Sequence, residues 1–552
     1  MGTQTPSAFQ SHLAKILNLP ESNVKVVTND IGGRFGSGVY IKLPIDIAAI
    51  ILARNTGRPV KFVHTREEEF FWSGHMHRFI VYVKTGMKKD GIITGRQFRV
   101  ICDAGAYASF GYIVTNVAGA MQGCLYRYKN YRCDAYGVYT NLPYGVAFRG
   151  VGNEQVHFAG ETQLSMIADR LNIDPIELRL KNAVRKGDRT ATGAVLHSCG
   201  LSECLKKAAD KIQWKNKKRK SGFEHGLGVS CNVHFTGARF KGMPDTDFSS
   251  ARIAVHDDGS VSLYITSVDI GQGCRTTHAQ IAAEVLGIEI ERINVVLGDT
   301  ESCPMDWGTR GSRCTAIGGM AVKLAAEKAL KQILSVAGEK LGSDPESFYV
   351  KDSKICLKST DEKVMTVSDA VMFNRYRENG RDLVAAATWD APSHDNLSFA
   401  FSFGTKIVEV ALDKVTGRSQ VVNVVSAIDL GKAINPLGAV CQIEGGVHQG
   451  LGMAMSEEII VDEKGNMKNN SFLDYRALTS VDIPRQDSIL VETDDPLGPF
   501  GAKGLGEIAF MGVPEAFVAA VHDASGIWIK ELPATPEKVL LALKKKENRL
   551  SE

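Results

Sequence analysis

The sequence predicts an α+β architecture in two domains. Three observations carry that prediction. The chain has 552 residues, more than the roughly 100–200 that one domain usually holds. Strand-like and helix-like segments mix along it without a regular strand–helix–strand beat and without an internal repeat. Apolar residues make up 44% and charged residues 23%, enough to fill large cores and too apolar for a disordered chain.

The elements follow in chain order. Residues 7–17 read as an amphipathic helix with Phe9, Leu13, Ile16 and Leu17 on one side. Residues 23–28 read as a strand. The glycine loop 32–38 comes next, followed by an apolar helix over 43–54 and a strand over 58–63. Segments 79–85 and 93–102 alternate and form a hairpin around Lys88-Lys89-Asp90-Gly91. Helices follow at 161–171 and 175–183, the second opened by Asp174-Pro175, a cap followed by a proline. The basic run 215–221 reads as a solvated linker rather than a nucleic-acid patch, because the rest of the chain is charge-balanced. Strands at 251–256, 260–266 and 292–297 surround a helix at 277–286. A helix at 318–337, strands at 404–413 and 419–427, and helices at 441–455 and 514–524 complete the list. The expected domains are 1–214 and 223–552, joined by a linker at 215–222.

Lys and Arg number 65 against 62 Asp and Glu, a net charge of +3. That balance gives no electrostatic footprint for nucleic acid or an anionic membrane. The 11 cysteines form no C-x-x-C pair, so neither a zinc ribbon nor an iron–sulfur cluster is supported in this chain. Reduced thiols in a cytoplasm are the plain reading. The first residues show no signal peptide, and no apolar stretch in the first part of the chain is long enough to span a bilayer.

Glycine is the outlier, at 54 residues. Five loops pack glycines around one or two polar residues: 32–38, 148–152, 270–273, 308–313 and 501–507. Backbone N–H groups in such loops can approach phosphates or other oxyanions. The first loop is neither a Walker A motif nor a full dinucleotide-binding fingerprint. Each loop alone is readable as an ordinary turn; the five together favour a large anionic cofactor. Arg149 and Arg313 offer planar donors to phosphate or oxo groups, or serve as internal ion-pair partners. Gln272 projects into whatever its loop encloses. Glu507 precedes Ile508-Ala509-Phe510, where a carboxylate can act as a general base or as a helix N-terminal acid. His77, His157 and His278 show no metal-ligand spacing and read as structural.

From Thr3 to about Pro533 these loops, in this order, resemble the molybdenum-binding chain of the xanthine oxidase and aldehyde oxidoreductase family. The resembling segments are Thr3-Gln4, Gly32-Gly33-Arg34-Phe35-Gly36, Ala147-Phe148-Arg149-Gly150, Gly271-Gln272-Gly273, Ser312-Arg313, Gln442-Ile443-Glu444-Gly445 and Lys503-Gly504-Leu505-Gly506-Glu507. The resemblance implies two mixed α/β molybdopterin-binding domains. It implies a molybdenum held through the dithiolene of its pterin and not by protein side chains, with the pterin in the cytosine dinucleotide form. Glu507 and Gln4 become the catalytic residues, with Glu507 as the base. Gly33, Phe35, Gly36, Arg149, Gly271, Gln272, Gly273, Gly311, Ser312, Arg313, Gln442 and Gly506 become the cofactor-binding set. The implied reaction hydroxylates an electron-poor carbon of an N-heterocycle or aldehyde with water as oxygen source. Electrons would leave to a [2Fe–2S] subunit and an FAD subunit.

Two departures from the family pattern matter. The chain begins at the Thr-Gln element, so either a second molybdopterin-binding chain supplies an N-terminal part or the sequence is a fragment. Positions that contact the purine in xanthine-oxidising members here carry Val39, Val117 and Val151, and the arginine loop lacks the cysteine of the carbon-monoxide branch. A scaffold or assembly partner that keeps the fold without catalysis is the rival reading. A flavin or nicotinamide dehydrogenase would need a fingerprint that the sequence lacks.

Overall fold

The computed structural model describes residues 1–39, 45–216, 224–237, 246–392, 398 and 400–551. The chain divides into two units that interleave in sequence. One comprises Met1–Val60, Gly237–Ser393 and Pro496–Gly504; the other comprises Lys61–Thr236, His394–Asp495 and Leu505–Glu552. These units cut across the segments 1–214 and 223–552. Residues 217–222 of the expected linker lie outside the described residues.

In the first unit, the strand Val261–Ile265, the helix Cys274–Leu286 and the strand Ile293–Leu297 make a parallel crossover. Phe248–Val255 and Leu383–Asp390 extend the sheet antiparallel. Phe248–Val255 alternates half-buried and buried residues, so Ala251, Ile253 and Val255 enter the core. The helix Gly319–Leu341 packs against these strands. Its buried stripe holds Ala321, Ala325 and Ala329, small enough to let the backbones approach closely, before Ile333. The helix Pro6–Leu17 buries Phe9 and Leu13 with Val26. The strand expected at 23–28 does not form. A 3₁₀ turn occupies Glu21–Asn23, and Val27 makes one isolated bridge with Asp299. The apolar alternation there is real, but its partner is a loop rather than a strand.

In the second unit, Arg78–Met87 and Ile93–Gly105 form the expected hairpin, turned at Gly91 with φ +86°. Asn130–Tyr139 adds a parallel third strand. No strand forms at 58–63, where Phe62 and Val63 are exposed and no burial repays an extended ladder. A second sheet orders Arg485–Val491, Ser419–Asp429, Ala400–Leu412 and Glu224–Thr236. Every residue of Ala400–Leu412 is buried. The helix Leu201–Ile212 and the helix Val513–Ser525 both pack on that strand. Val408, Val410, Val447, Leu451, Phe517 and Val521 centre the core. Gly226 and Gly228 let Val513–Ser525 lie directly on Glu224–Thr236: a Cβ at Gly228 would sit 2.0 Å from the Ala516 carbonyl oxygen.

Candidate cofactor loops and candidate base

In the first unit Gln4 is the hub. Its buried amide oxygen accepts from Gly36 N at 3.0 Å and Gly38 N at 3.2 Å, and its Nε2 donates to the Thr309 carbonyl at 2.7 Å. Thr309 in turn donates to the Val268 carbonyl and accepts from Val268 N. Gln272 folds back: Nε2 donates to the Val268 carbonyl and Oε1 accepts from Ile270 N. Direct hydrogen bonds thus assemble four of the segments singled out in the sequence. Gly33 and Gly36 both have φ +121°, and Phe35 has φ +48°. The Phe35 ring lies over Gly33, where a Cβ would stand 3.1 Å from it.

The Gln272 amide is spent on Val268, Ile270 and the Cys314 sulfur, within the protein, rather than projecting into a space its loop encloses, which corrects the sequence expectation. Asp269 is the part that sequence reasoning missed. Its carboxylate accepts from Gly271 N, Gly273 N and Arg275 N at the start of Cys274–Leu286. Arg313 is also turned inward. It is fully buried and donates to Asp247 at 2.8 Å, Asp306 at 2.9 Å and the carbonyls of Gly308 and Phe248. Of its two sequence readings, the internal ion pair is the one the structure contains. Gly311 and Ser312, with φ +57° and +54°, carry the adjoining backbone through the left-handed region.

In the second unit Arg149 plays the organising part. Its Nε donates to the Gly506 carbonyl, Nη1 to Gln449 Oε1 at 3.0 Å, and Nη2 to the Gln442 carbonyl at 3.2 Å. Burial lowers its pKa to about 10, against the opposing pull of the Glu507 carboxylate. Arg149, Gln442, Gly506 and Glu507 are therefore brought together. Phe148 packs edge-on against Phe510 at 5.5 Å, tying the arginine loop to the turn after Glu507.

Glu507 Oε2 lies 2.8 Å from His234 Nε2. It is Glu154 that accepts from Gly512 N, the cap of the helix Val513–Ser525. His234 stands on the polar face of Glu224–Thr236. From the same face Asn232 donates to the Met511 carbonyl at 2.8 Å and Ser230 donates to the Gly512 carbonyl. One strand face thus holds the whole 507–512 turn. The signal was present in the alternation Ser230, Asn232, His234, Thr236 against Val229, Cys231, Val233, Phe235, but that strand was not read.

Some glycines have no reason inside the protein. Gly32 and Gly445 have neither a positive φ nor any atom within 4 Å of where a Cβ would stand. Gly445 sits in the helix Pro436–Met455, where glycine costs about 1 kcal/mol relative to alanine. Gly271 and Gly273, with φ +100° and +77°, also face open space. These positions leave room for a ligand to approach backbone, so the residues present fit a pterin and its phosphates.

Fold and loops together define a chain whose glycine-rich loops are held in place by buried polar side chains. The description "Molybdopterin cofactor-binding domain" matches twice, over residues 1–183 and 204–484. The chain is 31% identical over 547 residues to the xanthine dehydrogenase molybdenum-binding subunit of Escherichia coli O157:H7, covering 97% of this chain and 72% of that protein. It is 30% identical over 569 residues to the carbon monoxide dehydrogenase large chain of Hydrogenophaga pseudoflava, covering 98% and 70%. The crystal structure of quinoline 2-oxidoreductase from Pseudomonas putida 86 is similar with a TM-score of 0.92 at 28% identity, covering 99% of this chain and 72% of that one. The chain belongs to the molybdenum hydroxylase family, as a molybdopterin-binding subunit of the xanthine, carbon monoxide and aldehyde dehydrogenase type. Among the described residues, no helix is long and apolar enough to cross a membrane.

Proposed function

We propose that this chain carries the molybdenum site of a hydroxylase that places a water-derived oxygen on an electron-poor carbon of an N-heterocycle or aldehyde. The observation that carries the reading is the Glu507 carboxylate, fixed on His234 beside a loop that Arg149 grips through Gly506. When bound, the molybdopterin would supply the two-electron redox step.

The residues divide the remaining work. In the first unit, the backbone of Gly33 and Phe35, of Gln272 and of Gly311–Ser312 binds the pterin and its phosphates, while the N–H groups of Gly36, Gly271 and Gly273 go to Gln4 and Asp269 and hold the loops in shape. Gln4 holds two of those loops in register, so a shift of its amide would move both. In the second unit Arg149 and Gln442 orient the Gly506–Glu507 peptide. Glu507 accepts the proton at its carboxylate. The cytosine dinucleotide form of the pterin, [2Fe–2S] and FAD on partner subunits, and a cytoplasmic setting belong to the same proposal.

The test is Glu507→Gln in the purified complex. The change is nearly isosteric and removes only the base. Molybdenum per chain stays at the wild-type level, while turnover of aldehydes and N-heterocycles with an artificial electron acceptor falls by about 10²–10⁴-fold. Wild-type turnover would overturn the assignment of Glu507. Absence of molybdenum and pterin from the wild-type complex would favour the non-catalytic scaffold.

A further inference from the structure

His234 has no part in the expected chemistry, yet its surroundings determine its state. Asn153 Nδ2 lies 2.8 Å from the Val233 carbonyl oxygen. A carbonyl only accepts, so this end of the Asn153 side chain is the NH₂ group. Gln122 Nε2 donates to the other end, Oδ1, at 3.4 Å. The same NH₂ group lies 3.3 Å from His234 Nδ1. It cannot accept a hydrogen bond, so Nδ1 is the acceptor there and the ring N–H is on Nε2. That Nε2–H points at Glu507 Oε2, 2.8 Å away. The ring is 1% exposed and stacked on Phe235 with centroids 4.1 Å apart.

We propose that His234 is a positioning residue for Glu507: its Nε2–H, placed by the NH₂ group of Asn153 at Nδ1, orients the carboxylate and hydrogen-bonds its ionised form. The inference rests on the reading of Glu507 as the base. The charged and titratable groups near the pair include Arg149, which is positively charged, His157, which burial lowers to about 4 and keeps neutral, and, behind the Glu507 turn, the buried Glu154, Glu515 and Lys406.

The test uses H234F, H234Q and E507Q in the purified complex. Three quantities are read: molybdenum per chain, the acid limb of kcat/KM, and the pH titration of the Glu507 carboxyl stretch. That stretch is identified as the infrared band absent from E507Q. A hydrogen bond to the charged form lowers a carboxyl pKa, so its loss in H234F moves the acid limb and the infrared titration together to higher pH. Molybdenum is retained and kcat falls by about 10²-fold, the scale of a misplaced reacting group. H234Q, whose amide N–H reaches toward the same oxygen, recovers most of both. If H234F sheds the metal, the infrared titration still reads the shift without turnover. An H234F titration that coincides with the wild type overturns the inference. Wild-type turnover by E507Q overturns the base reading alone, since the infrared shift would then stand without a catalytic consequence.

Discussion

Glu154 and Glu515 place two carboxyl groups in the same buried spot behind the Glu507 turn. Both are fully buried, and desolvation raises both, Glu154 to about 8. Two ionised carboxylates cannot hydrogen-bond each other, so one must keep its proton. Nearby Lys406 is lowered to about 7 by burial, with Arg149 adding to that effect, so it neutralises them only in part. The sign of the linkage follows. A carboxyl raised from 4.5 to about 8 holds its proton in the folded state and releases it in the unfolded state. Its contribution to stability is complete below about pH 4.5 and is lost as pH rises through about 8. Glu515→Gln supplies an amide hydrogen in place of the shared proton. Thermal melting of the complex at pH 5, 6.5 and 8 should show the variant gaining on the wild type as pH rises. A difference that stays constant across that range would place the shared proton elsewhere. None of this was legible in the sequence, where Glu154 and Glu515 look like ordinary first-turn acids. Glu507 and Arg149 were legible because each interrupts an apolar or glycine-rich run. His234 was not, because its role depends on Glu507, 273 positions away in the chain.

At the scale of elements, what was legible tracked local signals. The hairpin at Gly91, the proline-started helix after Asp174 and the crossover helix ending at Leu286 carry their own turns and caps, and all three form. The strands Glu224–Thr236 and Asn130–Tyr139 carry no such punctuation and form through pairing with distant segments. Glycines divide the same way. Gly228 is glycine because a helix lies on it, and Gly445 has no such cause. Gly228→Ala drives a Cβ onto backbone that no rotamer change can clear. It should cost about 1–3 kcal/mol or more, seen as a lowered Tm. Gly445→Ala should do the reverse to the fold, raising stability by about 0.5–1 kcal/mol through helix propensity. It should also lower the molybdenum and pterin content of the complex, because the added methyl group occupies the ligand's approach. Calorimetry with metal analysis on the two variants separates these cases. Unchanged cofactor content in Gly445→Ala would remove that helix face from the binding surface.

Across the whole molecule, the candidate site residues fall into two sets. Gln4, the 32–38 loop, the 268–273 loop and the 308–313 loop belong to one unit; Arg149, Gln442, Gly506 and Glu507 belong to the other. The interleaving was invisible in the sequence because each unit is closed by pairings between remote segments, while composition is even along the chain. Substrate choice is a property that can be tested on the whole chain. The three positions that the family resemblance assigns to purine contacts carry Val39, Val117 and Val151, and all three are buried. Val117 sits in the helix Gly111–Met121 and is fully buried there, beside Val114 and Ala118. None of these side chains donates or accepts a hydrogen bond, and none offers an aromatic face. A site built to hydrogen-bond a ring discriminates by about 10⁴–10⁵ against a ligand lacking the partner group, and removing the site's own groups forfeits that preference. A kcat/KM panel on the purified complex with an artificial acceptor should therefore rank an aldehyde, a pyridine-type carboxylate or another simple N-heterocycle above xanthine. Xanthine as the best substrate would overturn this ranking and would direct attention to Arg34 or His77 as replacement ring contacts. Of the two, His77 is the more testable: it is buried, kept neutral with a pKa lowered to about 4, and has a ring nitrogen without a hydrogen-bond partner. His77→Phe should then abolish a xanthine preference and leave aldehyde turnover in place.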